Sequence, residues 1–183
     1  VDDTAAVHGA IDYAKTTGAS VYFPIGTYRV TSGYKNASLR GSVAMIGPTR
    51  TASDQPENVG AIIILDSRSP SSFFYHAAAS HHLFVSNLRF RTSQYVVDRA
   101  FFRFSASSVN HRMHSVVFER IDRPVVYEVG CYFQSSTYFD VHFIDAGTIH
   151  SESNGATGNL LTLVNVAHDG IVPPNSERVV CNL

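Results

Sequence analysis

The groups best suited to chemistry are the carboxylates of Glu119 and Asp140, the imidazole of His142 and the guanidiniums of Arg89 and Arg91. Two carboxylates about 5 to 10 Å apart, one of them protonated, cleave a glycosidic bond. A base beside a cation that neutralises a sugar carboxylate starts an elimination instead. Asp140, His142 and Glu119, as catalytic groups with Arg89 or Arg91 binding substrate, supply either set. Tyr138, with Tyr75 and Tyr132, offers a ring face for sugars, and Arg103 and Glu128 add polar contacts. The same groups also read as surface ion pairs, Arg91–Glu119, Arg103–Glu128 and Arg120–Asp145, worth about 0–1 kcal/mol each.

These side chains reach one another only if the chain stacks on itself, and its middle part is built to do so. Three segments align: Phe73 to Phe90, Phe101 to Phe118 and Val126 to Phe143. The step is 28 residues from Phe90 to Phe118 and 25 from Phe118 to Phe143. Each unit ends in an apolar-x-apolar strand: Leu88-Arg89-Phe90, Val116-Val117-Phe118 and Val141-His142-Phe143. A unit of this size cannot bury its own apolar face and must stack. Alternating β-branched and aromatic residues, with no helix-length stretch between them, make the units strands, so the expected fold is a parallel β-helix.

Stacking converts the alignment into a surface map, with successive coils about 4.8 Å apart. With Leu88, Phe90, Val116, Phe118, Val141 and Phe143 pointing in, the outward grid is Asn87, Arg89 and Arg91, then Ser115, Val117 and Glu119, then Asp140, His142 and Ile144. On the opening strands Tyr75, Arg103 and Glu128 fall in one column. Phe101 also points outward on this map, and His76 inward as a core histidine.

The 183 residues make about one domain. A formal net charge of −1 gives no support for a nucleic-acid partner. No apolar run approaches the roughly 18 residues that span a bilayer, so no membrane insertion is expected. The two cysteines, Cys131 and Cys181, lack metal-ligand spacing, and neither a metal nor a cofactor is expected.

At the N-terminus Asp3 and Thr4 can cap a helix from about Thr4 to Thr17, with Val7, Ala10, Ile11 and Ala14 on one face and Gly18 as its C-cap. Strands follow at Val21-Tyr22-Phe23, Thr27 to Val30 and Val43 to Ile46. Ala61 to Leu65 is continuously apolar, as in a strand buried on both faces. Leu160 to Val166 alternates as another.

The run from Val1 to Val30, with Asp2-Asp3-Thr4, Ala6-Val7, Ala10-Ile11, Gly18, Val21-Tyr22-Phe23-Pro24, Gly26, Tyr28 and Val30, resembles the entry segment of the pectate-lyase-like superfamily of right-handed parallel β-helices. It is especially similar to the branch of phage tailspikes and polysaccharide depolymerases. The motif covers about a sixth of the chain and reports fold rather than chemistry. The resemblance implies an all-β, right-handed parallel β-helix. Residues 1–30 are its capping α-helix and entry strands, and residues 31–183 its coils. It further implies a tailspike-type depolymerase on a virion tail, a homotrimer that binds and cleaves a bacterial surface or capsular polysaccharide. Outward Val117, Ile144 and Phe101 would be covered by the partner protomers. Two other readings are a secreted monomeric lyase or glycosidase and a non-catalytic receptor-binding β-helix. The segment is expected to be the N-terminal part of a longer helix, or to have its end covered by a partner.

Overall fold

The computed structural model describes residues 1–36, 42–49, 60–66, 72–77, 82–97, 99–105, 108–109, 111–128, 133–134, 136–147, 149–151 and 161–169. Cys131, Tyr132 and Cys181 lie outside them.

Helix α1 (Thr4–Thr17) buries Val7, Ile11 and Ala14, and Gly18 closes it in the left-handed conformation, φ 75°, with its N–H on the Ala14 carbonyl. Asp3 does not cap it by its side chain. Asp3 Oδ2 instead accepts the Arg29 N–H at 2.9 Å, while Asp2 Oδ1 accepts the Thr4 N–H at 2.9 Å. Thr4 Oγ1 accepts the Thr31 N–H at 2.8 Å, and Thr31 Oγ1 donates to Asp2 Oδ2 at 2.8 Å. The three-residue Asp-Asp-Thr run thus ties the helix start to the chain near residue 30. The helix lies over the first coil and covers part of the apolar ring that a solenoid end exposes. On its other side Tyr34 Oη donates to Asp12 and accepts from Lys15 Nζ at 2.9 Å.

Each coil has three faces. β1 (Ser20–Tyr22), β2 (Gly26–Val30) and β3 (Tyr34–Asn36) supply one strand to each, and β4 (Val43–Ile46), β5 (Ala61–Leu65) and β6 (Phe74–His76) repeat the order. So do β7 (Leu83–Ser86), β8 (Leu88–Val96) and β9 (Phe102–Phe104). In the next coil β10 (Ser108–Val109) precedes β11 (His111–Ile121), a single strand that bends across the first two faces, and β12 (Val125–Tyr127) makes the third. β13 (Phe133–Gln134), β14 (Ser136–Ile144) and β15 (Ile149–Ser151) follow the same plan, and β16 (Leu161–Asp169) opens one coil more. Every pairing among the described residues is parallel, for example β5–β8, β8–β11, β11–β14 and β14–β16. β3, β6, β9, β12 and β15 form the third face as a separate sheet. This is the expected parallel β-helix.

The register of the second face is the expected one. Phe90 lies opposite Phe118, and Phe118 opposite Phe143. Their rings stack inside at centroid distances of 5.6 Å for each pair. Offset stacking of this kind adds about 0.5–1.5 kcal/mol per pair beyond burial. Phe73, Phe101 and Phe102 pack around the column, Phe101 at 5.3 Å from Phe90. Phe101 is therefore core, not an outward residue. Ala61 to Leu65 alternates between buried and half-buried rather than being covered on both faces. On the third face Phe74 pairs with Phe102 as expected, but Arg103 lies opposite Val126, two residues short of Glu128.

The corner between the first and second faces is one residue wide. Asn87, Ser115 and Asp140 occupy it in successive coils, with φ of 55°, 53° and 55°. The first-face neighbour of Asn87 is Gly47, where a Cβ would collide with the Asn87 carbonyl oxygen.

Candidate functional site

The left-handed corner residues decide which side chains meet. Asp140 falls one coil beyond Ser115, and Ser115 Oγ donates to Asp140 Oδ2 at 2.9 Å. The same hydroxyl oxygen is 3.2 Å from His114 Nδ1, and the His114 ring lies parallel on Phe139 at 4.9 Å. The other oxygen of Asp140 faces His142, whose Nε2 is 3.6 Å from Oδ1. Both side chains are about one-third exposed, 30% for His142 and 34% for Asp140. The left-handed corners of adjacent coils thus bring Ser115 and His142 onto one part-exposed carboxylate. Chemically it is a carboxylate fixed by a hydroxyl on one oxygen and coupled to an imidazole on the other, so a proton can be held or moved at His142 Nε2.

Beside it on the second face lies a guanidinium cluster. Arg89 Nε and Nη2 both donate to Glu119 Oε2, at 2.9 and 2.6 Å. Arg91 Nη1 is 3.8 Å from the same oxygen, and Arg120 Nε is 3.6 Å from Oε1. Three cations thus surround one carboxylate. The expected Arg91–Glu119 pair exists, but Arg89 holds the short contacts. Arg89 and Glu119 are also not surface groups: their side chains are 7% and 8% exposed. Arg89 lies between Ile62 and Val117, and Glu119 between Arg91 and Ile144, so neighbouring coils cover them. Val117, placed outward for a partner to cover, is buried by its own chain for the same reason. Arg91 is half-buried and Arg120 exposed, at 31% and 52%.

Two expectations fail on placement. Tyr138 is no sugar platform: it is fully buried, with its Oη 2.6 Å from Tyr127 Oη. The corner residue at Asp140 reverses the in–out alternation, so Ser136 and Tyr138 point in on one side of it and Val141 and Phe143 on the other. Glu119 and Asp140 do not form a facing pair of carboxylates. Asp140 is beside Ser115, and Glu119 lies four positions beyond Ser115 on β11, about 13 Å along the strand. Arg103 and Glu128 pair at 3.0 Å, as expected, on the opening strands, which form the third face and a separate sheet.

Ser115 and His114 were not assigned to the site from sequence, although the 25-residue step already sets them opposite Asp140 and Phe139. A further polar group sits at the corner between the second and third faces. Tyr95 is exposed overall, but its Oη donates to buried Asp122 Oδ1 at 3.1 Å, and partial desolvation there, reinforced by the Asp122 charge, pushes the phenol up to about 12. Ser93 bonds Asp66 at 2.7 Å, and Arg29 also pairs with Asp66. Among the described residues no three of His, Cys, Asp and Glu converge as metal ligands. No described helix is long and apolar enough to cross a membrane.

The fold and the outer wall define a parallel β-helix carrying an imidazole–carboxylate pair beside a guanidinium cluster. Residues 1–172 match the family described as rhamnogalacturonase A/epimerase, pectate lyase-like, and the chain belongs to that family. A search of curated proteins finds no match. Among solved structures, one from Parabacteroides merdae, provisionally classed as a glycosyl hydrolase, is similar over 100% of this chain and 93% of its own, at 12% identity and a TM-score of 0.43. The Pantoea stewartii glycan biofilm modifying enzyme, described as having a bacteriophage tailspike-like parallel β-helix fold, is similar over 99% of this chain and 38% of its own, at 12% identity and a TM-score of 0.37.

Proposed function

We propose that this protein binds and cleaves an acidic bacterial surface or capsular polysaccharide, as a tailspike-type depolymerase assembled as a homotrimer on a virion tail. Family membership supports an action on polysaccharide. The observation that carries the chemistry is the Asp140–His142 contact at 3.6 Å on a part-exposed wall. In this reading Asp140 and His142 are the acid–base pair. Ser115 is a positioning residue that fixes the Asp140 carboxylate. Arg91, half-buried, and Arg120, exposed, outnumber Glu119 and neutralise the acidic groups of the glycan, and Glu119 with Arg89 holds them in place.

Purified acidic capsular and pectic polysaccharides, incubated with the protein, are expected to shorten. Absorbance from an unsaturated uronate marks elimination, and new reducing ends without it mark hydrolysis. Asp140→Asn is expected to lower kcat by about 10²-fold or more, the usual weight of general acid–base catalysis. Unchanged cleavage in both Asp140→Asn and His142→Ala sinks the assignment. Mass in solution reads the trimer.

A further inference from the structure

The first face carries a feature that the acid–base pair does not use. Phe84 is exposed, with 37% of its surface open, although it sits in the middle of a stacked sheet. Its partner on the next coil is Arg112, also exposed. The neighbours on either side of this pair are small: Ala44 beyond Phe84, and Thr137 beyond Arg112. Beside this pair lies a depression of about 370 Å³, lined by His82, Leu83, Phe84 and Arg112.

Arg112 differs from the other arginines of the outer wall. Arg29 meets Asp66, Arg89, Arg91 and Arg120 meet Glu119, Arg103 meets Glu128 and Arg123 meets Asp122. Arg112 has no hydrogen bond or ion pair with any described residue. Its planar fork is therefore free to take a carboxylate through two parallel N–H···O bonds. The electron-rich face of Phe84 beside it suits the C–H side of a pyranose, whose hydrogens carry partial positive charge. Two residues further along β11, His114 stacked on Phe139 extends the platform by about 6.7 Å.

We propose that the first face holds a second carbohydrate site, centred on Phe84 and Arg112, that binds an acidic sugar residue without cleaving it. The proposal rests on the polysaccharide reading but not on the role of Asp140. It would keep a long chain on the protein between cleavage events.

The test is isothermal titration of the intact protein with an oligogalacturonate of defined length and with its carboxyl-reduced, neutral counterpart. Arg112→Ala is expected to weaken the acidic ligand by about ten- to a hundredfold and to leave the neutral one within twofold, since a charge-assisted pair is lost. Phe84→Ala is expected to weaken both. Both side chains are exposed, so the variants keep the wild-type circular dichroism. Acidic binding that stays within twofold in Arg112→Ala overturns the site, as does a wild-type protein that binds neither ligand. A Phe84→Ala variant that lowers the mass in solution while leaving sugar binding intact overturns it too, assigning the face to a second copy of the chain. Cleavage by Asp140→Asn, read in parallel, separates the two ideas. Lost cleavage with unchanged Arg112→Ala binding removes this site alone. Normal cleavage with weakened Arg112→Ala binding removes the acid–base assignment alone.

Discussion

Arg89→Met should destabilise the coil stack far more than a surface ion pair would. Both partners are buried, with side chains 7% and 8% exposed, so the usual surface value of about 0–1 kcal/mol does not apply. Removing one partner of a buried pair costs about 3–5 kcal/mol, because the remaining charge is left without compensation. Glu119 would lose both short bonds but keep Arg91 at 3.8 Å and Arg120 at 3.6 Å. That places the expected loss near the lower end, about 3 kcal/mol. With a urea slope of about 2 kcal/mol/M for a chain of this size, the midpoint should fall by roughly 1.5 M. The double variant Arg89→Met/Glu119→Leu removes both charges and should recover most of the loss, because well-packed apolar replacements of buried pairs are close to neutral. Since solenoids can unravel locally, hydrogen exchange at the β8 and β11 amides should accompany the urea curve. A single variant within about 1 kcal/mol of wild type, or a double variant no better than the single, refutes the reasoning.

His111 is buried against Phe104 and Tyr127, and burial, with His76 and His82 nearby, pushes its imidazole down to about 3. Below pH 6.5 the unfolded chain takes up a proton that the folded chain refuses, so stability falls with pH between about 6.5 and 3. At pH 5 this is roughly 2 kcal/mol, from about 1.5 pH units at 1.36 kcal/mol each. His111→Phe should therefore gain on wild type as the pH drops, and a stability difference flat with pH would count against it. Gly147→Ala should cost more than about 2 kcal/mol in thermal unfolding, because the added Cβ would run into the Asp122 carbonyl oxygen, backbone that cannot swing aside. An alanine variant as stable as wild type would show that the corner shifts freely.

The helix, the strand-only coils and the second-face register were all legible, because each depends on local periodicity. Val7, Ile11 and Ala14 bury themselves at helical spacing, and Phe90, Phe118 and Phe143 stack at the steps the sequence sets. Side-chain exposure was not legible to the same degree, for two physical reasons. Alternation says which way a residue points from its own strand, not whether the coils above and below close over it, and this hides Val117, Arg89 and Glu119. Alternation also assumes continuous extended backbone. A single left-handed residue breaks that assumption; Asp140 belongs to a type that tolerates this conformation, but neither it nor Ser115 announces it as a glycine would. The reversal at Asp140 sends Tyr138 into the core, and the same corner sets Ser115 within 2.9 Å of Asp140. The feature that defeated the map is thus the one that builds the candidate site. If the strained corner serves only to turn the chain, glycine at position 115 should be tolerated in both stability and cleavage. If it positions Asp140, Ser115→Gly should relieve the backbone yet lower kcat, and only that divergence supports a functional corner.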